Sequence, residues 1–557
     1  MLTENIPQLL AYQAERLGDK CALRFKSDGL YHPVSWKDYY NIATCAARGL
    51  IDVGVEPGDF IGLYSDNRIG WRFSHLATLA AGAVSVPLHD RLSETQARVQ
   101  LAETNAKVVF VSDQVQADRI AKEADNMPDL RWVVHFDTNL RIAGPYGAIS
   151  WSALVNRGIH CSRKLHDEQA NRQRNVKPDD LATIIYSSGT SGAPKGVMLS
   201  HGNLLYGAEC VVNTIDMGES DVGLNWLPLS HVFGHQVDHI TAIRSGSEVA
   251  ICESRETFVA NLIEARPTMA CCVPRIYEKI RNALAELPEA EQAARVKAMS
   301  GGRLRWCIAG GAPLPVYLGE YFVERGILLL TGYGMTESSS VMTLNTPDNY
   351  KIGSAGRPKV GCEIKIAEDG EILTRGEHVM KGYWKNPQAT CETIVDGWLH
   401  TGDVGYFDKD GYLFITDRKK DIIVYSSGKK VSPALLEGLL CRSPFIAEAL
   451  VCGEGRSYLS AIIVPEMQPL REQVKDWGMK FESDEEMLQN SRVVEFMNAN
   501  VQRCLTNASP WEKVRKFIMR PKVFSVEDGE ATLTAKLRRK TIIEHHKKEL
   551  DALYGSE

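Results

Sequence analysis

The 557-residue chain lacks most of the signals that would assign it to a class at once. It has no CxxC pair: its 13 cysteines are scattered, with Cys271-Cys272 the one adjacent couple. An odd count without metal-ligand spacing argues against a disulfide framework and fits reduced thiols in a cytosolic protein. Neither charge is in excess. Lys and Arg total 64 against 70 Asp and Glu, a net −6, which gives no electrostatic basis for binding nucleic acid. No run of about 18 uncharged apolar residues is present, so nothing is expected to span a membrane. The start, MLTENIPQLLAYQAERLGDK, lacks the basic-then-apolar pattern of a secretion signal. A cytoplasmic protein is expected, with peripheral membrane contact left open. Walker A, HExxH and repeats of fixed period are also missing.

What is there is ordinary globular composition, 44% hydrophobic and 24% charged, in a chain too long for one core. At least two domains are expected. Ile6–Leu17 has helical apolar spacing and is stopped by Gly18-Asp19. Short apolar runs then alternate with helix-like stretches, among them Phe60–Leu63, Val108–Val111 and Val133–Phe136. That alternation predicts an α/β fold of mainly parallel, helix-covered sheets. His160–Asp180 reads as a polar surface connection. DRKKD at Asp417–Asp421 marks a boundary or hinge, followed by a small domain ending in a charged helix, Lys536–Leu553. The basic start of that helix, KLRRK, reads as a solvated face.

Three stretches carry chemistry. LATIIY (Leu181–Tyr186) predicts a strand, YSSGTSGAPKG (Tyr186–Gly196) a glycine- and hydroxyl-rich loop, and His201–Val212 a helix. Strand, loop and helix in that order can converge backbone N–H groups on an anion. Ser187, Ser188, Thr190 and Ser191 add hydroxyls, Gly189, Gly192 and Gly196 allow close approach, and Lys195 adds a mobile charge. On composition alone a flexible surface turn competes with this reading. In GILLLTGYGMTESSS an apolar strand, Ile327–Leu330, opens into a loop with Tyr333, Thr336 and Glu337. Tyrosine can stack on a purine and a carboxylate can hold Mg²⁺, although such residues in loops are usually just solvated. AGGAPLP (Ala309–Pro315) offers a backbone turn for a base pocket, through Gly311, Ala312 and Pro313. In DGWLHTGDVGYFDKDGYLFITDRKKD, Asp403 sits in a Thr-Gly-Asp turn from which it can accept from ribose hydroxyls, with Arg418 nearby; a plain β-hairpin with polar turns fits as well. His231, His235 and His239 recur at four-residue spacing, but without HExxH a metal site is not favoured. Cys271-Cys272 reads as core.

Taken together and in this order, YSSGTSGAPKG, LPLSH, GYGMTE, GEHVMKGYWKNPQAT, GWLHTGD and DRKKDIIVYSSGKKVSPALLE resemble the acyl-adenylate-forming superfamily. VPRIYEKI and MKGYWKNP look most like its long-chain fatty acyl-CoA synthetases. The resemblance implies a large N-terminal domain of helix-covered sheets (1–416), a hinge (417–422) and a small mobile α+β C-terminal domain (423–557). It implies activation of a medium- to long-chain fatty acid with ATP and Mg²⁺ to acyl-AMP, releasing pyrophosphate, and then transfer to CoA. It assigns Ser187, Ser188, Gly189, Thr190, Ser191, Gly192 and Lys195 to the outer phosphates. Thr336 and Glu337 go to phosphate and metal, with Thr190 as a second metal ligand, Tyr333 to adenine, and Asp403 and Arg418 to ribose. His231 stands beside the acyl pocket, whose floor takes Gly334 and Met335. Lys536, with Lys540 as the fallback register, bridges carboxylate and α-phosphate during adenylation. Rotation about Lys420 then replaces it with the Ser427-Gly428-Lys429 loop on the thiol side. Where some relatives place a gate tryptophan, this chain has Phe233, Gly234 and His235, so chain length stays unspecified. A separate carrier-protein phosphopantetheine as acceptor, or an inactive nucleotide- or lipid-binding protein on this fold, are the competing readings.

Overall fold

The computed structural model describes residues 3–187, 194–254, 256–285, 287–532 and 536–555. The chain divides into two compact units: Met1–Lys365 with Leu373–Thr401 and Phe407–Leu413, and Ile366–Ile372 with Gly402–Tyr406 and Phe414–Glu557.

Among the described residues, the first unit carries a nine-stranded and an eight-stranded sheet. The nine-stranded sheet has a parallel centre, in which Val222–Asn225, Met269–Cys272, Trp306–Ala309 and Leu328–Met335 lie side by side. Their buried, near-continuous apolar character is what a sheet covered on both faces requires. In the eight-stranded sheet Phe60–Tyr64 lies between Val84–Leu88 and Val108–Val111, all parallel. One core joins Trp36 and Tyr39, Phe73 and Leu76, and Leu205 and Ala208 of the helices Trp36–Asp52, Ile69–Ala80 and His201–Ile215. The predicted helix Ile6–Leu17 forms with those bounds. Asn5 accepts from the Gln8 N–H at 2.9 Å, and Gly18 ends the helix at φ +53°.

Several expectations change. The polar stretch before Leu181 is not a bare connection but holds a helix, Arg163–Asn175, capped by Ser162. Its residues are good helix formers, and it is anchored by burying Gln169 and Gln173, so apolar periodicity could not reveal it. After the glycine-rich loop the chain does not enter a helix directly. Lys195–Ser200 first returns antiparallel along Leu181–Ser187, and the helix His201–Ile215 follows. The strand expected to end at Leu330 runs on to Met335 before a single 3₁₀ turn, Thr336–Ser338.

The second unit holds a three-stranded sheet. Ile446–Cys452 lies antiparallel and Val514–Met519 parallel to the buried central strand Leu459–Pro465. Helices Pro433–Leu440 and Ser491–Cys504 pack on it through Leu436, Leu440, Val493, Met497 and Val501. The predicted C-terminal helix is two helices, Arg539–His545 and Lys547–Tyr554, and Lys536 precedes both. Among the described residues, no helix is long and apolar enough to cross a membrane.

Candidate active site

The base of the glycine-rich loop is a β-hairpin. Tyr186 pairs with Gly196 and Ser187 with Lys195, the last pair before the loop. Ser188, Gly189, Thr190, Ser191 and Gly192 lie outside the described residues. Gly196 is required here: a Cβ would stand 2.8 Å from Ile184 Cγ2 and 3.3 Å from Trp384 Cβ.

Strand pairing brings a distant segment to this hairpin. Gly382 pairs with Met198 and Tyr383 with Val197, and the Trp384 N–H donates to the Gly196 carbonyl at 2.7 Å. Tyr383 thereby reaches Glu337: its hydroxyl donates to Glu337 Oε1 at 2.9 Å, and the Ser187 hydroxyl approaches the same oxygen at 3.5 Å. Lys195 Nζ stands 4.6 Å from the centre of the Tyr383 ring. The Glu337 carbonyl accepts from the Met380 N–H at 2.9 Å. Burial, and then the nearby Glu337 carboxylate, push the Tyr383 phenol above its ordinary value and keep it a donor. Ser187 and Lys195 of one motif and Glu337 of another therefore meet around Tyr383. In the sequence Tyr383 stands only as one position of GEHVMKGYWKNPQAT. Its role comes from strand pairing, and nothing local to GYW announces it.

The 3₁₀ turn that presents Glu337 depends on close backbone contact. A Cβ on Gly334 would lie 1.4 Å from the Ser340 carbonyl oxygen, and Ser339 and Ser340 both take positive φ. Thr336 and Glu337 are buried rather than solvated. Tyr333 and the Gly311–Pro313 turn leave the same edge of the sheet, since Ala309 and Thr331 are register partners on adjacent parallel strands. Tyr333 is buried, Gly311, Ala312 and Pro313 are exposed, and Gly311 has φ +80°. Carboxyl ends of parallel strands are where open α/β sheets take ligands.

The histidine series does not share one face of an α-helix. Gly234–Thr241 is a π-helix with His231 ahead of it, and His231 Nδ1 accepts from the Phe233 N–H at 3.2 Å. His235 and His239 are fully buried beside His75, with His239 Nε2 3.0 Å from His75 Nδ1 and Arg72 Nη1 3.2 Å from His239 Nδ1. Burial pushes all three imidazoles down, His235 to about 4. No cluster of His, Cys, Asp or Glu among the described residues suits a metal ion. Cys271 and Cys272 are buried in a core strand, as expected.

In the second unit, Asp403 is not in a turn. It lies within the strand Trp398–Phe407, just after Gly402 at φ +71°, and pairs with Arg418 Nε at 3.0 Å. Glu371, absent from the sequence reading, holds this corner by accepting from the Gly402 N–H at 2.9 Å and Lys419 Nζ at 3.0 Å. Ser427-Gly428-Lys429 closes the short hairpin of Ile423–Val424 and Lys430–Val431, with Gly428 at φ +80° and Lys429 Nζ 4.4 Å from the Trp511 ring centre. Lys536 is fixed by its backbone. Its N–H donates to Thr532 Oγ1 at 3.0 Å, and its carbonyl accepts from the Thr532 N–H at 2.8 Å. Three residues on, Arg539 turns inward onto Glu437 at 2.6 Å, and Glu437 also accepts from the Val451 N–H at 2.7 Å. KLRRK is thus not wholly a solvated face, and the last glutamate of the SPALLE run anchors the helix that follows Lys536.

Residues 10–384 match the family model of AMP-binding enzymes, and residues 420–557 match the AMP-binding enzyme C-terminal domain. The chain belongs to the AMP-binding enzyme family. It is 32% identical to the long-chain-fatty-acid–CoA ligase FadD15 of Mycobacterium bovis, over 95% of this chain and 94% of that protein. It is 26% identical to the long-chain-fatty-acid–CoA ligase ACSBG2 of Xenopus laevis, over 99% and 84%. The adenylation domain of a Mycobacterium chelonae carboxylate reductase shares the fold, with a TM-score of 0.82 at 23% identity, covering 100% of this chain and 92% of that one.

Proposed function

We propose that this AMP-binding enzyme activates a medium- to long-chain fatty acid with ATP, giving acyl-AMP and pyrophosphate, and then lets the CoA thiol displace AMP to give acyl-CoA. The observation that carries the reading is the meeting of Ser187, Lys195 and Glu337 around Tyr383, within a chain related end to end to ligases named for this reaction. A carboxylate is a poor electrophile at neutral pH. Attack of its oxygen on the α-phosphorus expels pyrophosphate and turns that oxygen into part of a leaving group. Negative charge builds on the departing phosphates, and preorganised donors and cations stabilise it. Lys195 and the hydroxyls of Ser187, Ser188, Thr190 and Ser191 take that role in the hairpin loop, with Gly189 and Gly192 giving room.

Glu337 suits magnesium: among the described residues both hydrogen bonds to its side chain reach Oε1, and a carboxylate oxygen is the hard ligand Mg²⁺ prefers. Thr336 and Thr190 complete the phosphate and metal contacts, and bound metal supplies charge neutralisation to the phosphates. Tyr333 and Gly311–Pro313 enclose adenine. Asp403, oriented by Arg418, accepts from ribose. His231, Gly334 and Met335 border the acyl chain.

Domains of 1–416 and 423–557 joined by a hinge at 417–422 let two steps share one site. Lys536 bridges carboxylate and α-phosphate in the first step, and Ser427-Gly428-Lys429 serves the thiol in the second. The thirteen cysteines, none of them in a disulfide, support work in the reducing cytoplasm. The test is pyrophosphate release over a carboxylate panel, with and without CoA. Release that depends on a fatty acid, with acyl-CoA formed only when CoA is present, supports the proposal. Release with fatty acid but acyl transfer only to a phosphopantetheine carrier overturns the second step, and no release with any acid overturns both.

A further inference from the structure

Lys536 is carried by a short antiparallel ladder, and at the base of that ladder lies an acidic side chain that none of the steps above uses. Ala531 and Leu537 are partners in the ladder, the Arg538 N–H donates to the Glu530 carbonyl at 2.7 Å, and the Thr532 N–H donates to the Lys536 carbonyl at 2.8 Å. Glu530 is 2% exposed. Arg520 Nη1 donates to its Oε1 at 2.8 Å and to its Oε2 at 2.9 Å, and His545 Nδ1 lies 3.2 Å from Oε1. Each partner is itself seated. Arg520 continues the strand Val514–Met519: its N–H donates to the carbonyl of Ile463, on the buried central strand, at 3.1 Å. Its guanidinium lies over the Phe524 ring at 5.0 Å, and His546 Nε2 stands 3.2 Å from Nη1. His545 closes the helix Arg539–His545, which follows Lys536.

We propose that Glu530 is a positioning residue for adenylation: by gripping Arg520 and His545 it fixes the base of the ladder that presents Lys536. The proposal rests on the role given above to Lys536. The ladder's backbone bonds set its shape, and the carboxylate ties that shape to the central sheet through Arg520 and to the following helix through His545. Burial alone would raise the Glu530 carboxyl, but Arg520 and then His545 outweigh it and hold the group below its ordinary value, so the grip is between charges at neutral pH. Taking the charge from one side of such a buried pair leaves the other side uncompensated. A lysine has a long flexible stem, so the reach of its ammonium is set by where its backbone is held. A displacement of about 1 Å in a positioned group can cost about a hundredfold in rate. Because Lys536 serves adenylation alone, the loss falls on the turnover of that step and spares ATP binding and thioester formation.

The test compares full-length Glu530→Gln with wild type and with Lys536→Ala. Pyrophosphate release and, separately, acyl-CoA formation from supplied acyl-AMP are measured, with a thermal melt for each protein. Glu530→Gln is expected to lower kcat for pyrophosphate release about tenfold or more, at unchanged KM for ATP, and to leave the acyl-AMP reaction as in wild type. Both Arg520 bonds come from one nitrogen, so Arg520→Lys is expected to keep most of the rate that Arg520→Gln loses. Should Glu530→Gln fail to fold, the Arg520 pair carries the same reading. The inference is overturned if Glu530→Gln releases pyrophosphate at the wild-type rate while Lys536→Ala does not, if it loses both half-reactions equally, or if Arg520→Lys and Arg520→Gln behave alike. Pyrophosphate release retained in Lys536→Ala overturns instead the role of the lysine itself.

Discussion

Tyr383→Phe isolates one bond at the centre of the site. The substitution removes the hydroxyl that donates to Glu337 Oε1 at 2.9 Å and keeps the ring that faces Lys195 at 4.6 Å. A hydrogen bond to a carboxylate contributes about 1.5–3 kcal/mol, and each ~1.4 kcal/mol of lost transition-state stabilisation is tenfold in rate. If Glu337 must be held to meet metal and phosphate, kcat/KM for pyrophosphate release falls about ten- to a hundredfold. The apparent magnesium requirement rises with it, because the misplaced group is the metal ligand. The ring–Lys195 contact, worth about 0.5–2 kcal/mol, is retained, so Tyr383→Ala is expected to lose more than Tyr383→Phe. The assay is initial-rate pyrophosphate release across a magnesium titration, with a thermal melt to show that the variant is folded. Wild-type kcat/KM together with wild-type magnesium dependence would refute the reasoning. The raised phenol adds a check. Its neutral form is favoured in the folded state, so its stabilising contribution is complete below pH 10 and declines only as pH rises beyond it.

The other expectations can be checked separately. Gly334→Ala places a Cβ 1.4 Å from the Ser340 carbonyl and should cost about 3 kcal/mol or more, read as a large drop in melting temperature; a melt like wild type would show that the turn relaxes freely. Lys536→Ala should abolish adenylation yet spare thioester formation from supplied acyl-AMP, whereas equal loss in both steps would count against that role for Lys536. Arg418→Ala removes the 3.0 Å partner of Asp403 and should raise the KM for ATP about tenfold with little change in the fatty-acid KM. His201, His235 and His378 are pushed down by burial to about 3, 4 and 4. The unfolded chain takes up protons first, so stability falls as pH drops below the ordinary 6.5, by about 1.4 kcal/mol per pH unit per imidazole until the folded values are reached. Urea midpoints measured from pH 7 to 4.5 would show that decline, and a flat profile would contradict it.

The parts of the fold that could be read beforehand are those whose signal is local. Ile6–Leu17 shows helical spacing and a glycine stop, and Val108–Val111 is an uninterrupted apolar run; both elements formed with those bounds. Arg163–Asn175 was not legible, because it is anchored by glutamines rather than an apolar stripe. The hairpin return Lys195–Ser200 was obscured by the loop signal ahead of it. At the site, the residue types in each motif pointed to phosphate, metal and ribose chemistry. What no local pattern can hold is long-range pairing. Tyr383 meets Glu337 through a strand register, and Glu437 meets Arg539 across about a hundred residues of chain.

The central claim is that the acid is activated by joining it to AMP, and the path of one oxygen atom tests it most directly. A fatty acid labelled with heavy oxygen in its carboxylate is incubated with the enzyme, ATP, magnesium and CoA, and the phosphorus products are examined by mass spectrometry. Attack of the carboxylate on the α-phosphorus, followed by thiol displacement, leaves one labelled oxygen on AMP and none on pyrophosphate. Label recovered in inorganic phosphate alongside ADP, or acyl-CoA formed with unlabelled AMP, would contradict the account.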